Sequence, residues 1–240
     1  MDRYKNSLNA LDEIQQKCMA DFINIGWCIG LILIACCFNG CARNEIEKRV
    51  PCIIENHTTQ NVYQATPAKP ISRVGVLPIC SEGMMDRDLS IMQKILQTTL
   101  IEQGAFEAIQ IPQEFLLTQF QTSQFKSNEL LPRYFLEQIK QYYDLDGVLF
   151  CEISTYDPYR PVKIGLKAQL VQTDTKKTIW MAEDFFDSHD KHVLAGIHTY
   201  CQNKKASSLE LFDEAFLSSP QALATYAFET LFNTIPNNLN

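Results

Sequence analysis

Residues 73 to 79 read RVGVLPI, in which a single arginine precedes a continuous apolar run that is interrupted only near its end by a proline. A short continuous run of this kind is typical of a strand that is buried on both faces. Apolar residues then recur at helical spacing from Leu89 to Leu100, and Gly104 is well placed to end that helix. A buried strand followed by an amphipathic helix predicts a β-α unit of a parallel sheet.

The alternation of strand and helix continues downstream. The apolar residues between positions 106 and 111 predict a second strand, and residues 113 to 120 predict a short helix. Residues 131 to 143 (LPRYFLEQIKQYY) predict a further amphipathic helix, and residues 148 to 156 (VLFCEISTY) a third strand. The central part of the chain is therefore predicted to form β-α-β-α-β units.

The pattern then changes to that of an antiparallel hairpin. Residues 163 to 170 alternate between polar and apolar, and residues 178 to 186 supply the return strand after a polar turn. Residues 189 to 201 and 220 to 232 are predicted to be closing helices. The predicted fold class is α/β, with a mixed sheet built from β-α-β-α-β units, an antiparallel hairpin and C-terminal helices.

The first strand is preceded by a long polar segment. Residues 42 to 72 hold three prolines and show no sustained helical or strand periodicity. We predict that they form a flexible tether between a leader, residues 1 to 41, and a single α/β domain, residues 73 to 235.

The leader contains an uncharged and largely apolar stretch, residues 22 to 42 (FINIGWCIGLILIACCFNGCA). Within it, Leu33 lies three positions before Cys36 and Ala35 lies directly before it, which is the pattern of a bacterial lipoprotein processing site. Cys41, which follows a glycine, is the alternative lipidation site. Fatty acyl chains on either cysteine would anchor the protein in the cell membrane or the outer membrane, with the folded domain in the periplasm.

Two other interpretations of the leader stay open. The stretch is long enough to cross a hydrocarbon core of about 30 Å as an uncleaved helix. An ordinary cleaved signal peptide would instead release the protein from the membrane. The leading segment contains more acidic residues than an export signal normally has: Asp2, Asp12, Glu13 and Asp21. All three interpretations place the folded part at a membrane or outside the cytoplasm.

The charge of the chain argues against one class of function, nucleic-acid binding. The net charge is −7 and the basic residues are scattered, so nucleic acid is not an expected partner.

Four of the nine cysteines lie beyond the leader: Cys52, Cys80, Cys151 and Cys201. In an exported protein this even number permits two disulfides, and the alternative is that they are buried thiols.

The sequence contains no phosphate-binding glycine loop, nucleophile elbow or zinc-protease motif, so we expect neither a familiar enzyme nor a cofactor. The nearest approach to a site is residues 183 to 192 (EDFFDSHDKH). Four of its side chains are of types that bind divalent cations: Glu183, Asp187, His189 and His192. A metal-dependent hydrolase exported to the periplasm is therefore the alternative function. The competing interpretation is that Ser188 or Asp187 caps the helix that follows.

The connection into the hairpin is the most distinctive segment, TYDPYRPVKIGL over residues 155 to 166. Its two prolines fix their own φ angles and push the preceding residues towards extended conformations, which makes the connection stiff. Rigid aromatic side chains lose little entropy when a partner covers them, so three residues are candidates for partner binding: Tyr156, Tyr159 and Arg160. The alternative is that the tyrosines pack back onto the hairpin.

Residues 155 to 166, together with Ile179-Trp180 downstream and the order of the predicted strands and helices, resemble an α/β domain of envelope proteins. It is shared by the N-terminal domain of the Tol translocation protein, the curli-export lipoprotein and the lipoprotein activators of penicillin-binding proteins. The resemblance covers residues 73 to 190. It implies a non-enzymatic, membrane-attached envelope lipoprotein that acts as a protein-binding assembly or accessory module. The implied partners are the membrane, other envelope proteins or further copies of the same chain.

Overall fold

The computed structural model describes residues 54 to 126, 129 to 204, 218 to 236 and residue 239. The leader, with both candidate lipidation sites Cys36 and Cys41, lies outside the described residues, and so does Cys52. None of the helices in the described part is long and apolar enough to span a bilayer.

A seven-stranded mixed sheet forms the centre of the fold, with the strand order β1-β7-β6-β5-β2-β4 and β3 paired to β5. The strands are β1 (Asn61–Gln64), β2 (Arg73–Val76), β3 (Cys80–Ser81), β4 (Glu107–Gln110), β5 (Gly147–Asp157), β6 (Lys163–Gln172) and β7 (Thr178–Asp187). Strand β2 pairs in parallel with β4 and with β5, whereas β5, β6, β7 and β1 pair antiparallel in succession. The predicted fold class, parallel units followed by an antiparallel hairpin, is confirmed.

In the described part of the chain, five helices follow the predicted order: α1 (Asp86–Gln103), α2 (Gln113–Phe120), α3 (Phe135–Tyr143), α4 (Lys191–Asn203) and α5 (Pro220–Phe232). Gly104 caps α1 in the left-handed conformation at φ 64°, as its position in the sequence predicts. The hydroxyl of Ser219 caps α5. The cap of α4 is Asp190, whose carboxylate accepts from the N–H groups of His192 and Val193. The prediction that Ser188 or Asp187 caps this helix is therefore wrong, because β7 continues to Asp187 and the helix starts later.

The alternating residues of β5 divide the core between the two faces of the sheet. Leu149 and Cys151 lie in one buried cluster with α1, α4 and α5, and Val148 and Phe150 lie in a second cluster with α2 and α3. Gly75 in β2 lies under the second cluster, and a methyl group there would meet Leu145 Cδ1 at 2.5 Å. The glycine of the opening RVGVLPI stretch therefore lets this layer pack closely on the sheet.

The ordered domain begins well before residue 73. Strand β1, from the segment predicted to be a tether, pairs with β7 so that Asn61 opposes Glu183 and Gln64 opposes Trp180. Further along, the N–H of Ile71 donates to the carbonyl of Leu239 at 2.7 Å, and both residues are buried. Strand β1 is a four-residue edge strand that is held largely by main-chain hydrogen bonds. Such pairing does not require alternating polar and apolar side chains, so the sequence shows no pattern that predicts this strand.

The described cysteines lie inside the fold. Cys80, Cys151 and Cys201 are all buried, and Cys80 and Cys151 are free thiols. Burial raises the pKa of the Cys151 thiol to about 12, so this side chain is an inert apolar group rather than a nucleophile.

Candidate functional site

An open cleft of about 580 Å³ lies where the segment before β1, the end of β7 and the start of α4 meet. Its lining includes three histidines, an exposed aromatic side chain and a carboxylate: His57, His189, His192, Phe185 and Asp187. We call it the histidine cleft. Three of the residues that the sequence predicts as metal ligands therefore line one cavity.

The contact beneath the cleft is between an imidazole and a carboxylate. His57 Nε2 donates to Asp184 Oδ2 at 2.8 Å, and the hydroxyl of Thr59 donates to the same oxygen at 2.7 Å. The side chains of His57 and Asp184 are only 17% and 12% exposed. The hydrogen bond to Asp184 raises the pKa of His57 and outweighs the opposing effect of burial. Burial works against ionisation of Asp184, but its hydrogen bonds from His57 and Thr59 leave its pKa lowered.

Main-chain contacts hold the segment before β1 in place. The N–H of His57 donates to the carbonyl of His192 at 2.9 Å, and His192 Nδ1 donates to the carbonyl of Glu55 at 2.9 Å. The ring of His57 packs against Phe186, with 5.0 Å between the ring centroids. The wall of the cleft is therefore a fixed part of the fold.

The four predicted metal ligands are not brought together. Glu183 does not line the cleft, and along a strand its position is separated from Asp187 by four residues, or about 13 Å. Asp187 accepts from the N–H of His189 at 2.8 Å and lies 3.7 Å from Lys163 Nζ. Over residues 54 to 126 and the other described ranges, no three His, Cys, Asp or Glu side chains are placed to hold a metal ion.

The three predicted partner-binding residues lie in different environments. Tyr156 packs against the core, where burial and the nearby negative charge of Asp88 in α1 raise its pKa to about 12. Tyr159 is 79% exposed, and its N–H donates to the carboxylate of Asp157 at 3.1 Å. Arg160 is exposed beside it. Tyr156 therefore fits the packing alternative, whereas Tyr159 and Arg160 are exposed and stay predicted partner-binding residues.

The loop that carries Tyr159 adjoins the turn that carries His189. The N–H of Ser188 donates to the carbonyl of Val162 at 2.9 Å, and Lys163 opposes Asp187 in the β6-β7 ladder. Phe185 lines the histidine cleft nearby and is 48% exposed. We call Tyr159, Phe185 and the histidine cleft together the aromatic surface.

His57 and Asp184 are functional candidates that the sequence interpretation missed. Asp184 had a detectable signal, because it occupies an inward-facing position of β7 between Ala182 and Phe186, where a carboxylate requires a partner. No comparable signal in the sequence identifies His57, since it lies in a segment without helical or strand periodicity.

No protein-family model matches the chain. A search of curated proteins also finds no match. Among solved structures, the chain is similar to the lipoprotein GNA1162 from Neisseria meningitidis, with 18% identity and a TM-score of 0.37, over 57% of this chain and 99% of that one. It is also similar to the C-terminal domain of LpoB from Escherichia coli, with 16% identity and a TM-score of 0.35, over 51% of this chain and 87% of the other.

A third similar structure is TolB from Acinetobacter baumannii, with 11% identity and a TM-score of 0.28, over 62% of this chain and 31% of that chain. The neighbours thus include a lipoprotein, LpoB and TolB, in agreement with the resemblance inferred from the sequence. At these identities and TM-scores, no function is transferred from them to this chain.

Proposed function

We propose that the chain is a membrane-attached, non-enzymatic accessory module of the bacterial envelope that binds another protein through its aromatic surface. The observation that carries this proposal is an open cleft lined by the exposed Phe185, together with the exposed Tyr159 on a loop whose end is hydrogen-bonded to the turn beside the cleft. Membrane attachment rests on the leader, with lipidation at Cys36 or Cys41.

The composition of the aromatic surface supports this proposal. Interface centres are enriched in aromatic residues and are surrounded by polar groups, here the imidazoles and carboxylates of the cleft. The hydrogen bond from the N–H of Tyr159 to Asp157, together with Pro158 and Pro161, restrains the loop before any partner arrives. Binding would therefore cost little additional conformational entropy.

Charge favours a particular kind of partner. Among the described residues, those that line the histidine cleft include Glu55, Asp187 and Asp190 but neither a lysine nor an arginine. A partner segment that carries basic side chains would therefore complement this cleft.

The arrangement of polar groups disfavours a hydrolase. In a catalytic triad the imidazole lies between a hydroxyl and a carboxylate and takes the proton of the hydroxyl. Here Thr59 and His57 both donate to Asp184, so the carboxylate lies between them and the hydroxyl is not activated. The alternative function, a metal-dependent hydrolase, is also not supported, because Glu183 and Asp187 lie too far apart to bind the same metal ion.

Site-specific photo-crosslinking in membranes of the source bacterium tests the proposal. A photoreactive amino acid at position 159 or 185 of the full chain should give the same discrete protein adduct. The matched control is position 142, because Tyr142 is also strongly exposed but lies on α3. Adducts that are identical at positions 142, 159 and 185, or no adduct at 159 and 185, would exclude the aromatic surface as the binding site.

A further inference from the structure

A second cleft, of about 410 Å³, lies at the opposite edge of the sheet from the histidine cleft. Its walls come from the residues after β2, the residues around the end of β4, and α1. Five of its lining side chains are glutamines: Gln93 and Gln97 of α1, Gln110 of β4, Gln113 of α2, and Gln124. We call it the glutamine cleft.

The sheet topology accounts for a cleft at this point. Strand β2 leads to α1 on one face of the sheet, whereas β4 leads to α2 on the other face. Adjacent parallel strands whose connections diverge in this way leave a crevice beyond their carboxyl ends, where open α/β sheets bind ligands.

Two polar atoms of the glutamine cleft have no partner. Gln93 Oε1 accepts from the N–H of Ile79 at 2.8 Å, which fixes the orientation of its amide. Gln93 Nε2, a donor, and Gln110 Oε1, an acceptor, are both buried without a hydrogen-bond partner among the described residues. Buried polar groups are rarely left unpaired, so this donor and acceptor favour a ligand that supplies both an acceptor and a donor. A peptide group is complementary because it offers one carbonyl and one N–H.

The main chain of β4 offers further hydrogen bonds at the same place. Within the part of the chain that the structure describes, β4 pairs only with β2. The N–H groups of Glu107 and Ile111 donate to the carbonyls of Ser72 and Val76. Because alternate residues of a strand face opposite neighbours, the N–H and carbonyl groups of Ala108 and Gln110 face the open edge.

The charge of the glutamine cleft excludes several kinds of ligand. Asp86 is the one charged residue among the described residues that line it. A phosphate or lipid headgroup would find no cationic partner there. Ile79, Leu89 and Ile111 supply apolar walls between the amides, which suits the uncharged side chains of a peptide.

We infer that the glutamine cleft binds the main chain of an extended, uncharged peptide segment of another protein. The peptide adds as a strand to the open edge of β4 and places one peptide group between Gln93 and Gln110. This mode of recognition uses main-chain hydrogen bonds for affinity and alternate side chains for specificity. The site is separate from the aromatic surface, so either one can fail without the other.

The test uses the detergent-solubilised full chain and a fluorescein-labelled, capped, uncharged peptide of alternating valine and threonine. Fluorescence polarisation should show saturable binding. Gln93→Glu replaces the unpaired donor by an acceptor and should raise Kd at least tenfold, and Gln110→Met should raise it several-fold. Gln141→Glu, on the exposed side of α3, should leave Kd unchanged.

Two further measurements distinguish strand addition from binding through the peptide's side chains alone. Methylation of alternate peptide nitrogens in the probe removes donors and should abolish binding. Hydrogen exchange of the full chain should slow at the N–H groups of Ala108 and Gln110 when the unmodified peptide is bound. Absence of binding, equal affinity of the methylated probe, or unchanged exchange over these residues would overturn the inference.

Discussion

His57 and Asp184 lie 127 positions apart in the sequence and are joined by a hydrogen bond of 2.8 Å. The contact fastens the segment before β1 to an inward-facing position of β7. It also shapes the histidine cleft, because the main chain at His57 is bonded to that of His192 in α4. A single partly buried pair thus connects the N-terminal edge of the domain with one wall of the candidate binding surface.

The stability that this pair contributes should depend on pH. The pKa of His57 is raised above 6.5, so its contribution is complete below about pH 6.5 and is lost as the pH rises through the folded value. The pKa of Asp184 is lowered below 3.8, so its contribution is lost only as the pH falls through that lower value. We expect His57→Gln to lower the free energy of unfolding by roughly 2 kcal/mol near pH 6 and by less near pH 9. Urea unfolding of the detergent-solubilised chain at both pH values measures the difference.

The control for that experiment is His189→Gln. His189 lines the same cleft but is exposed, and its side chain makes no contact comparable to the His57 bond among those described. This variant should unfold like the wild type at both pH values. A His57→Gln effect of equal size at pH 6 and pH 9 would contradict the role assigned to protonation.

The two tyrosines of the YDPY segment should respond differently to substitution. Tyr156→Ala removes a side chain that packs against the core and should lower the free energy of unfolding by about 2 kcal/mol. Tyr159→Ala should change it by less than about 0.5 kcal/mol, because the side chain is exposed. Guanidinium unfolding followed by circular dichroism distinguishes the two. Similar losses in both variants would mean that Tyr159 also contributes to packing and is not a free docking residue.

Lipid attachment makes a prediction about the mature N-terminus. Cleavage at the Leu33-Ile34-Ala35-Cys36 site should leave a diacylated or triacylated Cys36 as the first residue of the membrane-bound protein. Mass spectrometry of the N-terminal peptide from membrane fractions measures this directly. Cys36→Ser should shift acylation to Cys41 or release the protein from the membrane. An intact Met1 in the wild-type membrane fraction would instead support an uncleaved helix.

The parts of the fold that the sequence predicted are those in which side-chain pattern and structure coincide. The alternation in residues 163 to 170 identifies the β6 strand because one face of it is less buried, and Gly104 identifies the end of α1. His57 and the glutamine cleft could not be predicted in this way. Both depend on contacts between segments that are separated in the chain. Strand β1 depends on main-chain hydrogen bonds, which almost any sequence can form and which therefore leave no pattern in the side chains.

Close packing between α4 and α5 gives the last prediction. A methyl group at Gly196 of α4 would overlap the hydroxyl of Tyr226 on α5 and lie 3.2 Å from its ring carbon Cζ. Gly196→Ala should therefore lower the free energy of unfolding by about 1–3 kcal/mol, although alanine favours helix by up to about 1 kcal/mol over glycine. The double variant with Tyr226→Phe removes the overlapping oxygen and should recover most of the loss. If Gly196→Ala were instead as stable as the wild type in urea unfolding, the helices would have room to separate, and the close contact between α4 and α5 would be wrong.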